Sequence, residues 1–146
     1  MLEQKIKLKI TTPEKIVFEK EVDQITLPVL DGQVTILPGH RSYIAALKAG
    51  EIMLKSEGKE MELAVSGGFI ELHDNVLVVL ADTAEHAAEI DVKRAEEARD
   101  RAEQLKQEKV SMDEVEYARV AAAIEKEAAR VRVARKHHTK HGIKID

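Results

Sequence analysis

Residues 90–136 read IDVKRAEEARDRAEQLKQEKVSMDEVEYARVAAAIEKEAARVRVARK, a run with neither glycine nor proline. Alanine, glutamate, lysine, arginine and glutamine dominate it, and all are strong helix formers. Ser111-Met112-Asp113-Glu114 has the form of a capping box, so the run predicts two helices, Asp91 to Lys109 and Met112 to Lys136. Asp91 is placed to cap the first. The predicted inward stripe of the first helix is Val92, Ala95, Ala98, Ala102 and Leu105. The second offers Val115, Ala118, Ala122, Ile124, Ala128 and Val131. Alanines permit close approach but bury about one methyl each, and a buried carbon group contributes only about 0.8 kcal/mol. Such a hairpin is marginal: small energies decide whether it packs on itself, on the rest of the chain or on a partner. A hairpin docked permanently on the first half fits the same residues.

Outward from this run, the chain changes character. All three prolines and six of the seven glycines lie before residue 69, which places turns in the first half and continuous structure in the second. Ile6, Leu8 and Ile10 alternate with Lys5, Lys7 and Lys9, the period of a strand with one buried face. Further short apolar runs follow at 15–18, 22–28, 33–37, 51–54, 61–65, 68–72 and 75–81. Turn signals separate them, among them Leu30-Asp31-Gly32, Leu37-Pro38-Gly39, Glu57-Gly58-Lys59, Ser66-Gly67-Gly68 and Asp74-Asn75. Strands this short and this regularly spaced predict a small antiparallel sandwich. The fold class is therefore α+β: a β-sandwich over residues 1–86, a two-helix hairpin over 87–136 and a flexible tail over 137–146.

Composition narrows the function. The 146 residues include no cysteine and no tryptophan, which removes disulfides, thiolate metal sites and thiol nucleophiles and fits a reducing compartment. The most apolar stretch, Asn75 to Ala81, is far shorter than the roughly 20 residues a spanning helix needs. The first residues lack the apolar core of a signal peptide, so the chain is expected to stay where it is made. A net charge of −4 argues against nucleic-acid binding. Residues 1–89 carry 9 basic and 15 acidic side chains and residues 90–146 carry 14 and 12, so the halves are expected to face different partners. No nucleophile–base–acid order, complete metal set or P-loop is present, so the chain is not expected to be an enzyme. His137-His138-Thr139-Lys140-His141 lacks carboxylate or thiolate support and is assigned no metal.

Gly32 to His40 with its Leu-Pro-Gly-His ending, then Ser66-Gly67-Gly68-Phe69, then Ile90-Asp91-Val92-Lys93-Arg94-Ala95 opening an alanine-rich hairpin, together closely resemble the epsilon subunit of F-type ATP synthases. The resemblance spans residues 1–135 in the family's order and spacing. It implies a ten-stranded sandwich bound to the gamma subunit and to the ring of c subunits, reaching the membrane only through the complex. Gly32, Leu37, Pro38, Gly39 and His40 would be partner contacts there. It also implies a mobile hairpin that lies folded or extends along gamma into the catalytic head and blocks ATP hydrolysis. Arg130, Arg132, Arg135 and Lys136 would then reach acidic loops of the alpha and beta subunits. No cofactor is required, but ATP is a regulatory ligand in some members. The matching positions are Glu85, Asp91, Arg94, Arg101, Lys126 and Arg130, although Lys126 stands where a nucleotide-binding member has arginine. Lysine offers a point charge in place of a planar fork. Helix capping and solvated ion pairs fit the same residues. The expected location is the cytoplasmic face of a bacterial cell membrane, as a peripheral protein. A nucleotide-sensing module and a coiled-coil adaptor are the alternatives from other functional classes.

Overall fold

The computed structural model describes residues 4–108 and 113–142. Eight strands come first: β1 (Ile6–Thr11), β2 (Ile16–Val22), β3 (Gln24–Val29), β4 (Gly32–Ile36), β5 (Tyr43–Ser56), β6 (Lys59–His73), β7 (Val76–Ala81) and β8 (Ala84–His86). A short 3-10 turn, Ala87–Glu89, leads to α1 (Val92–Glu108) and α2 (Glu114–Lys140). The order across the sheet is β2-β1-β7-β6-β5-β3-β4, with β8 on β6. All pairs are antiparallel except β1 with β7. That parallel pair is possible because β2 to β6 supply the long crossover it needs.

The alternation in β1 is borne out: Ile6, Leu8 and Ile10 are buried, and none of the intervening lysines is. Three connections are two-residue hairpin turns, Leu30-Asp31, Glu57-Gly58 and Asp74-Asn75. Both central residues of the last two have positive φ, the backbone that suits the right-handed twist of the flanking strands.

The sandwich has eight strands among the described residues where the resemblance implies ten, because β5 and β6, 14 and 15 residues long, run through both halves of the sheet. The first half of β6 pairs with β8 and the second with β7, while β5 accompanies it throughout. The inward face changes phase midway. In β5 it passes from Leu47 to Gly50, Ile52 and Leu54; in β6 it passes from Leu63 and Val65 to Ile70 and Leu72. Ser66-Gly67-Gly68, expected as a bulge or tight turn entering a strand, lies in the interior of β6, between two halves whose inward faces differ in phase. Gly68 has φ +136°, and a Cβ there would overlap the Leu80 carbonyl oxygen of β7. Glycine at this corner thus permits close strand approach, not chain reversal.

The hairpin also departs from expectation. Ser111 and Met112 lie outside the described residues, and the cap of α2 is Asp113, whose side chain accepts from Glu116 N at 2.8 Å. Of the predicted stripes, Val92, Ala95 and Val131 are buried, whereas Leu105, Val115, Ala118 and Ala122 are exposed. The apolar faces are covered mainly near the sandwich, where α2 buries Ala129, Val131, Val133 and Ala134; Val120 is the other buried residue of α2. His137 to Lys140 continue α2 instead of beginning a flexible tail, for reasons that lie in its contacts with β6.

Replacing Gly68 with alanine should lower stability by about 2–3 kcal/mol through backbone strain and overlap with Leu80. Gly58→Asn, at a turn position with φ +77° and open space, should cost less than about 1 kcal/mol. Urea unfolding midpoints of the two variants measure the difference.

Candidate functional site

The hairpin begins where Asp91 Oδ1 accepts from Arg94 N at 3.1 Å, the expected cap. Ile90, Val92 and Ala95 then meet Val131, Val133 and Ala134 of α2 and Ala64 of β6 in a small apolar cluster. Around that cluster α2 carries cations that face carboxylates. Arg130 Nε lies 3.1 Å from Glu85 of β8, and its Nη1 lies 2.6 Å from Glu127. Lys136 Nζ donates to Glu51 of β5 at 2.8 Å, and Arg135 pairs with Glu96 of α1. At the end of α2, Lys140 Nζ donates to Glu62 Oε1 at 2.9 Å and pairs with Glu60, while His137 Nδ1 lies 3.2 Å from Glu62 Oε2. These pairs hold residues 137–140 in the helix.

Within the chain, basic side chains of the second half meet acidic side chains of the first. Three of the four cations assigned to the catalytic head, Arg130, Arg135 and Lys136, are engaged within the chain. The fourth, Arg132, makes no ion pair among the described residues and lines a crevice with Gly32, Lys48 and Lys136.

Charge in this interface is set by the pairs. Burial opposes the positive charge of Arg130, but Glu127 and Glu85 outweigh it and raise its pKa. Burial pushes the Glu62 carboxyl up, and the hydrogen bonds from Lys140 and His137 reverse that, leaving it below the ordinary value. Glu60 is likewise lowered by Lys140.

A second feature is a polar cleft of about 530 Å³ lined by Glu89, Asp91, Arg94, Glu97, Ala98, Arg101 and Arg130. Four of the six expected nucleotide positions, Asp91, Arg94, Arg101 and Arg130, converge on it. Glu85 is not in the lining but holds Arg130, and Lys126 is not in the lining. Arg94 and Arg101 form no ion pair among the described residues. Glu97 and Ala98 were missed, although their three- and four-residue spacing from Arg94 places them on the same helix face. Glu89 lies in the 3-10 turn and carried no periodic signal.

The sandwich presents a third feature. Phe69 and Leu80, paired across β6 and β7, are 61% and 55% exposed, and Ile44 and Val76 extend this apolar face. The expected loop contacts lie at its edge: Leu37 is exposed, Gly39 N donates to Asn75 Oδ1 at 2.7 Å, and the His40 ring meets Tyr43 edge-on. Pro38 belongs to the same loop. Gly32 is separated from this group, opening β4 opposite Val29 beside the end of α2. Phe69 closes a motif quoted from the sequence but carried no contact role, and Leu80, Ile44 and Val76 carried no expectation; outward-facing apolar residues in strand positions were the available signal.

The fold and these surfaces define a small β-sandwich carrying a helical hairpin docked through alanines and ion pairs. Residues 5–87 match the beta-sandwich domain family of ATP synthase delta/epsilon chains, and residues 88–135 match its long alpha-helix domain family. The chain belongs to the ATP synthase delta/epsilon family. The ATP synthase epsilon chain of Desulforamulus reducens is 44% identical over 128 residues, covering 88% of this chain and 96% of the relative. That of Nitratidesulfovibrio vulgaris strain DP4 is 42% identical over 133 residues, covering 90% and 97%. A chain in the Euglena gracilis mitochondrial ATP synthase, in an assembly of OSCP, F1 and c-ring, superposes with TM-score 0.72 at 26% identity, over 86% of this chain and 78% of that one. A chain of the Tetrahymena thermophila mitochondrial ATP synthase central stalk and c-ring shares the fold, with TM-score 0.59 at 18% identity, over 94% and 98%. No described helix is long and apolar enough to cross a membrane.

The lowered pKa values of Glu60 and Glu62 give the docked hairpin a pH dependence. Their contribution is fully present above the ordinary value of 4.5 and is lost as pH falls through the depressed folded value. Amide shifts across residues 129–141, followed on acidification below 4.5, should therefore report loosening of α2 before the sandwich unfolds. Simultaneous loss of both would reject this.

Proposed function

We propose that the chain is a non-catalytic subunit of the central stalk of an F-type ATP synthase. Its sandwich couples the gamma subunit to the c ring, and its hairpin inhibits ATP hydrolysis by extending toward the catalytic head. The observation that carries this reading is the docking interface of the hairpin. Its apolar part consists largely of alanine and valine, and each buried methyl contributes about 0.8 kcal/mol. Most of its ion pairs are partly solvated, and such pairs contribute about 0–1 kcal/mol each. A docked and a released state separated by a few kcal/mol are what a switch requires.

Release would also free Arg130, Arg135 and Lys136 to exchange their present carboxylates for acidic loops of the alpha and beta subunits. The apolar face around Phe69 and Leu80, with Leu37 to His40 at its edge, is the surface we assign to the rotor. Association with the membrane is through the complex, at the inner face of a bacterial cell membrane, and no nucleic acid is involved. Reconstitution tests the gating: removing residues 91–146 should leave a sandwich that still assembles and should raise the hydrolysis rate of the complex. An unchanged rate in an assembled complex would overturn it.

A second reading rests on the polar cleft. Arg94 and Arg101 line it and form no ion pair among the described residues, and Arg130 reaches it from α2, so a nucleotide phosphate would tie α1 to α2. ATP there is a regulatory ligand that favours the docked hairpin; no cofactor is required for folding. Titration of the chain with MgATP and MgADP by calorimetry should detect selective ATP binding, weakened at least about tenfold in Arg94→Ala/Arg101→Ala. Equal affinity in both proteins would reject the cleft as the site.

A further inference from the structure

The C-terminal end of α2 does more than pair charges. His137 and His141, four residues apart, share one helix face, and their ring centroids are 4.4 Å apart. Glu62 of β6, only 4% exposed, presents Oε2 to this pair at 3.2 Å from His137 Nδ1. One donor atom from each of the three lies within 4.8 Å of the others. The segment His137 to His141 carries no carboxylate of its own. Folding supplies one from 75 residues away.

We infer that Glu62, His137 and His141 form a binding site for a divalent transition metal of the zinc class, which pins the end of α2 to β6. Two imidazoles and one carboxylate form a three-ligand set that leaves a fourth tetrahedral position for water. Imidazole nitrogens select zinc, nickel or copper over magnesium and calcium, which prefer oxygen. The 3.2 Å between Glu62 Oε2 and His137 Nδ1 already suits two ligands on one ion, each about 2.0–2.2 Å from it. His141 is exposed at the helix end, so its ring is free to swing in. Lys140 donates to the other oxygen, Oε1, at 2.9 Å, which orients the carboxylate and leaves Oε2 for the metal. The ammonium does not make the site cationic, because Lys140 also pairs with Glu60, giving two carboxylates to one lysine. A crevice of about 300 Å³ lined by Glu60, Glu62, His86, Glu89 and His137 provides an entry path.

The test is calorimetric titration of the chelator-treated full chain with zinc chloride at neutral pH. One zinc should bind per chain. His137→Ala, His141→Ala and Glu62→Gln should each weaken binding at least about tenfold. His138→Ala should leave affinity within about twofold, because His138 Nδ1 is buried and lies outside the ligand set. Zinc should also slow amide exchange across residues 137–140 in the parent chain and not in His141→Ala. The latter replaces an exposed terminal residue and keeps the result independent of folding. No saturable binding at micromolar zinc, binding undiminished in His141→Ala, or binding lost equally in His138→Ala would overturn the site. The nucleotide cleft and the gating role do not enter this result.

Discussion

From Glu62 to Val65, β6 is buried on both faces, and the whole molecule is arranged around that short segment. Leu63 and Val65 point into the sandwich core, while Ala64 joins the cluster beneath the hairpin and Glu62 receives the end of α2. The same strand is thus the last wall of one domain and the seat of the other. Its continuation past Gly67 and Gly68 carries it into the second half of the sheet, where it pairs with β7 and supports the exposed apolar face. A change at the seat is therefore linked through one covalent strand to the surface assigned to the rotor.

The two sides of β6 are unequal in strength. The sandwich side packs isoleucines, leucines and valines at near-zero exposure, each contributing about 1.5–3 kcal/mol on burial. The hairpin side offers methyl groups, a few valines and ion pairs. Beyond Ala95 and before Val120 the helices bury almost nothing, and the Lys106 ammonium over the Tyr117 ring at 5.3 Å links their far ends. A stable platform with a weakly held arm follows from this difference. The charges that hold the arm in place are also those that would serve it elsewhere.

How much of this was legible in the sequence varies with the range of the interaction. The lysine–isoleucine alternation of β1 and the turn residues Glu57-Gly58 and Asp74-Asn75 are local signals, and they were read correctly. β6 reads as two strands because Ser66-Gly67-Gly68 has the composition of a turn and the inward face changes phase there. The first part of β5 escaped notice because Tyr43, Ala45 and Leu47 run in the opposite phase to Ile52 and Leu54, and β8, at three residues, is too short for any period. The helices were found from composition, but their stripes implied burial along the full length, which the sandwich is too small to provide. Asp91, Arg94 and Arg101 came together because they lie on one helix. Glu62 beneath His137 required the fold, since nothing local relates residues so distant in the chain.

The weakly held hairpin should open independently of the sandwich. Native-state amide hydrogen exchange on the full chain tests it most directly, with denaturant used to separate local from global opening. Amides of α2 from Ala129 to Ala134 should exchange through an opening well below the global unfolding free energy, while Leu63 and Val65 of β6 should exchange only with global unfolding. A single common free energy for α2 and β6 would mean that the hairpin and sandwich form one cooperative unit, and would contradict it.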